Sequence, residues 1–164
     1  MTLTNKKKYL LIFSLIVIVD QISKIMIQSH FHSHPFKIVK VIPDFFILRY
    51  VENRGAVWGM FSQTANAWIP KVITGLSIVA LLVVLYFFLK LRSHCALELT
   101  SMAFIIGGAV GNIIDRLYQG YVLDFLDIFI KQHHWPTFNV ADSFISIGVF
   151  LLIISIWRGK CTQF

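Results

Sequence analysis

Charged residues are scarce in this chain, and acidic residues are the scarcest of them. Only 14% of the 164 residues are charged and only 8 are Asp or Glu, whereas 57% are hydrophobic and the mean hydropathy is +0.72. A soluble domain of this length does not have so apolar a composition. The composition therefore excludes a soluble protein and predicts a polytopic α-helical membrane protein with a single membrane domain over residues 1–164.

Several other features are also missing. The chain has no internal repeat and no low-complexity tract, and no nucleic-acid-binding pattern accompanies its net charge of +7. Membrane proteins carry surplus Lys and Arg to fix their orientation, so we expect no nucleic-acid partner. No small-residue cleavage site follows the first apolar segment, only Asp20-Gln21-Ile22-Ser23-Lys24. We therefore expect this segment to be an uncleaved membrane span.

Four apolar segments are long enough to cross about 30 Å of hydrocarbon at about 1.5 Å per residue. They are residues 9–27, 68–89, 96–114 and 140–157. Glu98 and the cluster Gly107-Gly108-Ala109 interrupt the apolar character of the third segment. The small residues of this cluster also allow two helices to pack closely.

Basic residues predict the orientation of these spans. They precede the first segment, occupy the short connection between the second and third, and follow the fourth: Lys6, Lys7, Lys8, Lys90, Arg92, Arg158 and Lys160. The positive-inside rule places these regions and both termini in the cytoplasm. The outer loop 28–67 and the outer connection 115–139 then lie outside. Cys95 and Cys161 would be cytoplasmic, and we expect no disulfide.

This topology gathers four carboxylates at one side of the membrane. Asp20 lies in the outer half of the first span, Asp115 at the outer end of the third, Asp124 in the outer connection and Asp142 at the outer start of the fourth. A carboxylate at membrane depth costs roughly 2.5 kcal/mol or more, so such residues are functional candidates. The outer segment 37–51, rich in Ile, Val, Phe and Tyr around Pro43-Asp44, predicts short strands beside them.

Two carboxyl groups close together do not both ionise easily, so one keeps its proton while the other acts as a base. The ionised group takes a proton from water, which attacks an amide carbonyl, and the neutral group stabilises the developing oxyanion. This is aspartic-protease chemistry, and it needs no cofactor. The sequence offers no competing Ser-His-Asp or Cys-His set at the same depth.

Each candidate carboxylate also has a structural explanation. Asp142 could stabilise a helix N-terminus through the macrodipole. Asp124 could be a solvated loop residue, since Asp127 lies three residues on and could equally be the functional one. Asp20 and Lys24, at i and i+4, could form only an intrahelical ion pair.

The same holds for their polar neighbours. Asp115 beside Arg116 could be purely structural, and Asn112 and Asn139 could simply cap helix ends. The histidines raise the question of a metal site. His30, His32 and His34 would share one face of a strand, and His133-His134 lies in another outer segment, but we expect no metal site.

Five motifs together resemble one known family. They occur in the order Val19-Asp20-Gln21-x-x-Lys24, Asn53-x-Gly55-Ala56, Gly107-Gly108-Ala109-x-Gly111-Asn112-x-x-Asp115-Arg116, Val122-x-Asp124-Phe125 and Phe138-Asn139-x-Ala141-Asp142-Ser143. In this arrangement the chain resembles the bacterial lipoprotein signal peptidases (signal peptidase II). The motifs extend from residue 19 to residue 143, and the number of spans also fits.

The resemblance implies an aspartic endopeptidase with four transmembrane helices and a small extramembrane β-rich cradle. It implies substrates that are diacylated prolipoproteins, cut just before the lipidated cysteine. The implied catalytic pair is Asp124 and Asp142. The implied substrate-binding and supporting residues are Asp20, Lys24, Asn53, Gly55, Asn112, Asp115, Arg116, Asn139 and Ala141.

We further expect a monomer that works in contact with membrane lipid, in the bacterial plasma (inner) membrane, with its active site at the outer (periplasmic) face. One alternative is a proton- or cation-coupled transporter that uses intramembrane carboxylates. Another is a non-catalytic membrane assembly protein. A transporter would spread its acidic residues across the membrane depth and often shows inverted repeats. Clustered acidic residues and the lack of a repeat favour the peptidase.

Overall fold

The structure is a computed structural model that describes residues 6–55, 68–92 and 95–158. Its helices are α1 (Lys7–Phe31), α2 (Ile69–Lys90), α3 (Ala96–Gln119) and α4 (Val140–Trp157), and its strands are β1 (Val39–Ile42), β2 (Phe46–Asn53), β3 (Val122–Ile130) and β4 (His133–His134). All four helices are long and apolar enough to cross a membrane. The predicted fold class is confirmed: a polytopic α-helical membrane protein with four transmembrane helices and a small β-rich cradle.

Two helices are longer than the sequence predicted. Helix α1 continues to Phe31 rather than Ile27, and α3 continues to Gln119 rather than Ile114. The charges of Asp115 and Arg116 suggested that α3 ends before them. The helix instead ends at Gly120, whose φ of 79° is the left-handed conformation that glycine adopts without strain. Asp115 and Arg116 therefore project from a helix.

Helix α3 is the central element of the bundle and packs against α1, α2 and α4. Glycines let its backbone approach these neighbours. A Cβ atom on Gly108 would overlap the carbonyl oxygen of Ala141, and one on Gly148 would lie 2.7 Å from the carbonyl oxygen of Ser101. Close packing of α3 on α4 therefore depends on the absence of these side chains.

Polar groups stabilise the end of the bundle where α3 begins. Glu98, the charge that weakened the prediction of the third span, is buried and accepts a hydrogen bond from the hydroxyl of Ser155 in α4. The ammonium of Lys6 donates to the carbonyl oxygens of Phe88 at 2.6 Å and Leu89 at 3.0 Å. It thereby satisfies carbonyls that the last turn of α2 leaves without helical partners.

The expectation of two unpaired cysteines is wrong for Cys95, which is disulfide-bonded in the structure. That expectation rested on the reducing compartment predicted for both cysteines, and compartment says nothing of whether the folded chain brings two sulfurs together. Cys161, Lys160 and Ala56 lie outside the described residues.

The four strands form one antiparallel sheet in the order β1-β2-β3-β4. The short strands predicted between Lys37 and Val51 are confirmed as β1 and β2, and the predicted turn lies between them, with Asp44 at a φ of 58°. Strands β3 and β4 occupy the connection between α3 and α4. In the register of β2 with β3, Val51 lies opposite Asp124 and Ile47 lies opposite Asp127.

The sheet lies at the end of the bundle where α1 and α3 finish and α4 begins. Apolar side chains from the end of α1, Ile27 and Phe31, pack with Leu123 and Phe125 of β3. Strand β3 follows α3 almost directly and contacts it. This arrangement places the last turns of α1 and α3, the first turn of α4 and the middle of the sheet next to one another.

Candidate active site

The two carboxylates of interest come from different kinds of element. Asp124 lies in β3 and is 2% exposed. Asp142 lies in the first turn of α4, within a capping box: its main-chain N–H donates to Asn139 Oδ1 at 2.9 Å, and its Oδ2 accepts from the Asn139 main-chain N–H at 3.3 Å. The local sequence Asn-x-x-Asp therefore fixes where α4 begins and how the Asp142 carboxylate is held.

Asn139 contacts both carboxylates. Its side-chain Nδ2 donates to Asp124 Oδ1 at 2.7 Å, while its main-chain N–H donates to Asp142 Oδ2. The residue is fully buried, so water does not compete for these hydrogen bonds. The helix-capping role that the sequence suggested for Asn139 is therefore present, and the same residue also links Asp124 to Asp142.

Asn53, at the end of β2, holds the second oxygen of Asp124. Its Nδ2 donates to Asp124 Oδ2 at 2.9 Å, and its Oδ1 accepts from the main-chain N–H of Gly55 at 3.1 Å. Gly55 is buried with a φ of 128°, a conformation that a side chain would strain. The turn at Gly55 thus orients the Asn53 amide toward the carboxylate.

Asn112, in α3, extends the network to the other carboxylate. Its Nδ2 donates to Asp142 Oδ1 at 2.7 Å, and its Oδ1 accepts from Asn139 Nδ2 and from the ammonium of Lys24, both at 3.1 Å. Two donors directed at Oδ1 fix the orientation of this amide. Asn112 is therefore not a helix cap, because it lies well inside α3.

Lys24, in α1, pairs with two buried carboxylates. Its Nζ lies 2.8 Å from Asp20 Oδ2 and 2.8 Å from Asp115 Oδ2. Asp20 also accepts a hydrogen bond from the main-chain N–H of Ala141 at 2.9 Å. Asp20 and Lys24 thus form an intrahelical pair, as the sequence allowed, but the pair also reaches α3 and α4.

One residue of this cluster was not among the predicted site residues. The side-chain Nε2 of Gln21 lies 3.2 Å from Asp20 Oδ2 and 3.0 Å from Asp115 Oδ1, and it also reaches the carbonyl oxygen of Gly111 at 3.2 Å. A sequence signal was available, because Gln21 follows Asp20 directly in the first motif.

Arg116 is half-buried near the end of α3. Its guanidinium is close enough to interact electrostatically with Asp142, Asp124 and Asp115, but it forms no direct ion pair with any residue in the described ranges. It therefore contributes positive charge near the two carboxylates.

Asp127, the alternative to Asp124, has other partners. Side chains alternate between the two faces of a strand, so positions 124 and 127 of β3 point to opposite faces. Asp127 Oδ2 pairs with Arg49 Nη1 at 3.1 Å, and His134 Nδ1 lies 2.8 Å from Asp127 Oδ1. The structure therefore separates Asp127 from the network around Asp142.

The histidines around the end of α1 do not lie on a strand. His30 lies in the last turn of α1 and His32 caps that helix, so His30, His32 and His34 are not on one face of a strand. Across the described parts of the chain, no group of three His, Cys, Asp or Glu side chains is arranged to hold a metal ion.

Burial and charge set the protonation of Asp124. Burial, reinforced by the neighbouring Asp142 carboxylate, raises the pKa of Asp124 from 3.8 to about 7. Hydrogen bonds from Asn53 and Asn139 and the charge of Lys24 act in the opposite direction, because they stabilise the ionised form. Near neutral pH, Asp124 is therefore poised between acid and base.

The chain is thus a bundle of four transmembrane helices with an extramembrane sheet at one end. At that end lie two carboxylates that buried amides link to each other. These features define the class of membrane-embedded aspartic hydrolases. A family model described as signal peptidase (SPase) II matches residues 12–158. The chain belongs to the signal peptidase II family, and this membership decides against the transporter alternative.

Proteins with similar sequences or structures match most of the chain. A lipoprotein signal peptidase of Syntrophotalea carbinolica is 40% identical over 158 residues, 96% of each protein. One from Burkholderia pseudomallei is 45% identical over 141 residues, 85% of this chain and 82% of that protein. A bacterial membrane enzyme solved by the in meso method at 2.3 Å resolution superposes with a TM-score of 0.79 at 32% identity, covering 96% of this chain and 94% of the other.

Proposed function

We propose that this protein removes the signal peptide from diacylglyceryl-modified prolipoproteins, cutting before the lipidated cysteine, and that Asp124 and Asp142 are its catalytic dyad. The observation that carries the assignment is the double contact of Asn139, which donates to Asp124 through its side chain and to Asp142 through its main chain. A shared donor keeps two carboxyl groups in one site, as activation of a single water molecule requires.

In the proposed reaction the pair carries one proton up to about pH 7, the value to which burial and Asp142 raise the pKa of Asp124. The ionised carboxylate takes a proton from water, and the hydroxide equivalent adds to the scissile carbonyl carbon. The protonated carboxyl donates a hydrogen bond to the developing oxyanion and then supplies a proton to the leaving amine.

Polar groups around the dyad are available for the substrate main chain. Arg116 has no direct ion-pair partner among the described residues and lies close enough to the carboxylates to interact with them electrostatically, so its guanidinium is suited to a peptide carbonyl or to the oxyanion. Asn53 in the sheet and Asn112 in the bundle each hold one dyad carboxylate. We assign these residues to substrate alignment and carboxylate support.

The membrane setting explains why the substrate should be lipidated. Helix α2 buries only Phe88 among its side chains, and exposed apolar residues cover the outer faces of the other helices, so the bundle is surrounded by lipid. The basic residues near both chain ends and at Lys90 and Arg92 support an orientation with those regions in the cytoplasm and the dyad at the outer face. A diacyl anchor would deliver the scissile bond to that depth in advance. We also propose that the protein functions as a monomer.

The test is cleavage of a diacylated prolipoprotein by purified protein in lipid nanodiscs, beside the same precursor without lipid. We expect a shortened product that begins at the lipidated cysteine, and cleavage of the unlipidated precursor slower by at least about 100-fold, since correct positioning is worth several orders of magnitude. Equal rates for the two precursors would contradict the proposed role of the anchor. Absence of any product from the diacylated precursor would contradict the proposed function.

A further inference from the structure

The buried cluster of Asp20, Lys24 and Asp115 contains three charged side chains that the proposed reaction does not use. Their exposed fractions are 0%, 3% and 3%. Burying charges is costly unless each has partners, and one lysine neutralises only one of the two carboxylates. Because burying these three charges costs free energy, we expect the cluster to do more than hold α1 against α3.

Asp20 and Asp115 make equivalent contacts, each beside one residue of the dyad. Asp20 Oδ1 accepts the main-chain N–H of Ala141 at 2.9 Å, and Ala141 directly precedes Asp142. Asp115 Oδ2 accepts the main-chain N–H of Leu123 at 3.2 Å, and Leu123 directly precedes Asp124. Each buried carboxylate thus holds the backbone one residue before a dyad carboxylate.

Lys24 connects the two halves of this arrangement. Its three ammonium hydrogens match three acceptors: Asp20 Oδ2 at 2.8 Å, Asp115 Oδ2 at 2.8 Å and Asn112 Oδ1 at 3.1 Å. The third contact leaves the Asn112 Nδ2 free to donate to Asp142. Lys24 therefore contacts both carboxylates that hold the backbone and also the amide that holds Asp142.

The neighbouring residues fit the same purpose. Gly111 gives Asp20 room, since a Cβ atom there would lie 2.5 Å from Asp20 Oδ2 and 3.5 Å from the Cβ of Ala141. Gln21 donates toward both carboxylates and so compensates part of the excess negative charge. Helix α1 carries neither dyad residue, but through Asp20 and Lys24 it contacts the groups that hold both of them.

We propose that Asp20, Lys24 and Asp115 form a clamp that fixes the separation and orientation of Asp124 and Asp142, so that all three are positioning residues for the peptidase reaction. The clamp acts through the backbone of residues 123 and 141 and through Asn112. This inference rests on the proposed function, because it assumes that the two clamped carboxylates perform the chemistry.

The test compares substitutions that keep or remove the backbone acceptor. Asp20→Asn and Asp115→Asn retain an oxygen that can accept the N–H of Ala141 or Leu123, whereas Asp20→Ala and Asp115→Ala do not. We expect the Ala variants to lower kcat about 100-fold or more per folded molecule with KM changed less than about threefold, since a misplacement of about 1 Å can have this effect. The Asn variants should recover at least about tenfold of that loss. Asp44→Asn, in the exposed β1–β2 turn, is the matched control.

Lys24→Met gives a second readout that a purely structural role would not change. The charge of Lys24 opposes the rise in the pKa of Asp124, so its removal should move the alkaline limb of the kcat/KM profile to higher pH in the enzyme that remains folded. If the Ala variants do not fold, this shift and the Asn variants decide the question. An unchanged limb, or kcat within about threefold of wild type for the Ala variants, would overturn the clamp.

Wild-type protein and Asp124→Asn are assayed alongside these variants. Cleavage by wild type together with loss in Asp124→Asn, but normal kcat in all clamp variants, would refute the clamp alone. Lack of cleavage by wild type would refute the proposed function itself.

Discussion

At the scale of single residues, the environment of Asp124 explains how a carboxyl group could serve as an acid near neutral pH. Its pKa rises to about 7 because it is buried and faces Asp142, although Asn53 and Asn139 donate to it and stabilise its ionised form. Below this pKa the pair retains one proton, and above it both groups ionise and the acid is lost.

We therefore expect kcat/KM to fall as the pH rises through about 7, which gives the alkaline limb of a bell-shaped profile. Asn53→Ala removes a hydrogen bond that stabilises ionised Asp124, so it should move this limb to higher pH, whatever its effect on the maximal rate. The profile is measured with the diacylated substrate over about three pH units on either side of the limb. A limb that stays in place, or moves to lower pH, would contradict the assigned role of Asn53.

Asp127 should behave differently from Asp124, because its contacts are with Arg49 and His134 on the other face of β3. Asp127→Asn removes the charge that Arg49 balances and one oxygen near His134, and we expect it to lower the free energy of unfolding by about 1–3 kcal/mol. Activity per folded molecule should stay within about threefold of wild type. Thermal unfolding in detergent and cleavage assays at matched protein concentration test both statements, and a stable but inactive variant would show that Asp127 acts in the chemistry.

At the scale of elements, the position of α4 against α3 determines where Asp142 lies. Gly108 of α3 meets the carbonyl oxygen of Ala141, one residue before Asp142, so the contact that packs the helices also sets the depth of the carboxylate. The capping box at Asn139 then fixes where α4 begins. Packing and catalytic geometry are thus coupled at the same turn.

Gly108→Ala should separate α3 from α4, because its Cβ atom would overlap backbone rather than a flexible side chain. We expect a loss of about 1–3 kcal/mol, as is typical of overpacking, together with a clear drop in kcat. Gly75→Ala is the matched control, since a Cβ atom at Gly75 in α2 meets nothing within 4 Å. If the two variants have the same free energy of unfolding and the same kcat, the close approach at Gly108 is not what positions α4.

Much of this element-level account was accessible from the sequence, because it depends on apolar length and on local turn chemistry. Four long apolar segments predicted the four helices, and Pro43-Asp44 predicted the turn between two strands. The end of α3 was placed too early, since a charge pattern does not reveal that Asp115 is buried against Lys24. The partners of Asp127, Gln21 and Cys95 depend on tertiary contacts, which local patterns do not contain.

At the scale of the whole molecule, the fold brings four carboxylates from different parts of the chain to one end of a membrane-spanning bundle. Asp20 and Asp115 pair with Lys24, and Asp124 and Asp142 meet at Asn139. Positive charges near residues 6–8, at Lys90 and Arg92 and at Arg158 predict that this end faces away from the cytoplasm.

The orientation is testable with single introduced cysteines. Lys37→Cys, beside the sheet, should react with a membrane-impermeant thiol reagent in intact spheroplasts, whereas Arg92→Cys, in the connection between α2 and α3, should react only after permeabilisation. Both positions are exposed in the structure, and the parent protein gives the background from the native cysteines. Labelling of Arg92→Cys from outside would reverse the orientation and place the dyad at the cytoplasmic face.

The most direct test of the central claim is the cleavage rate of Asp124→Asn and Asp142→Asn at matched amounts of inserted protein. Asn keeps the size of Asp but neither ionises nor shuttles a proton, so each variant should lose activity by several orders of magnitude while remaining folded. The double variant should be little worse than either single one, because residues that act as a unit are not additive. Substantial cleavage by either single variant would contradict the assignment of Asp124 and Asp142 as the catalytic dyad.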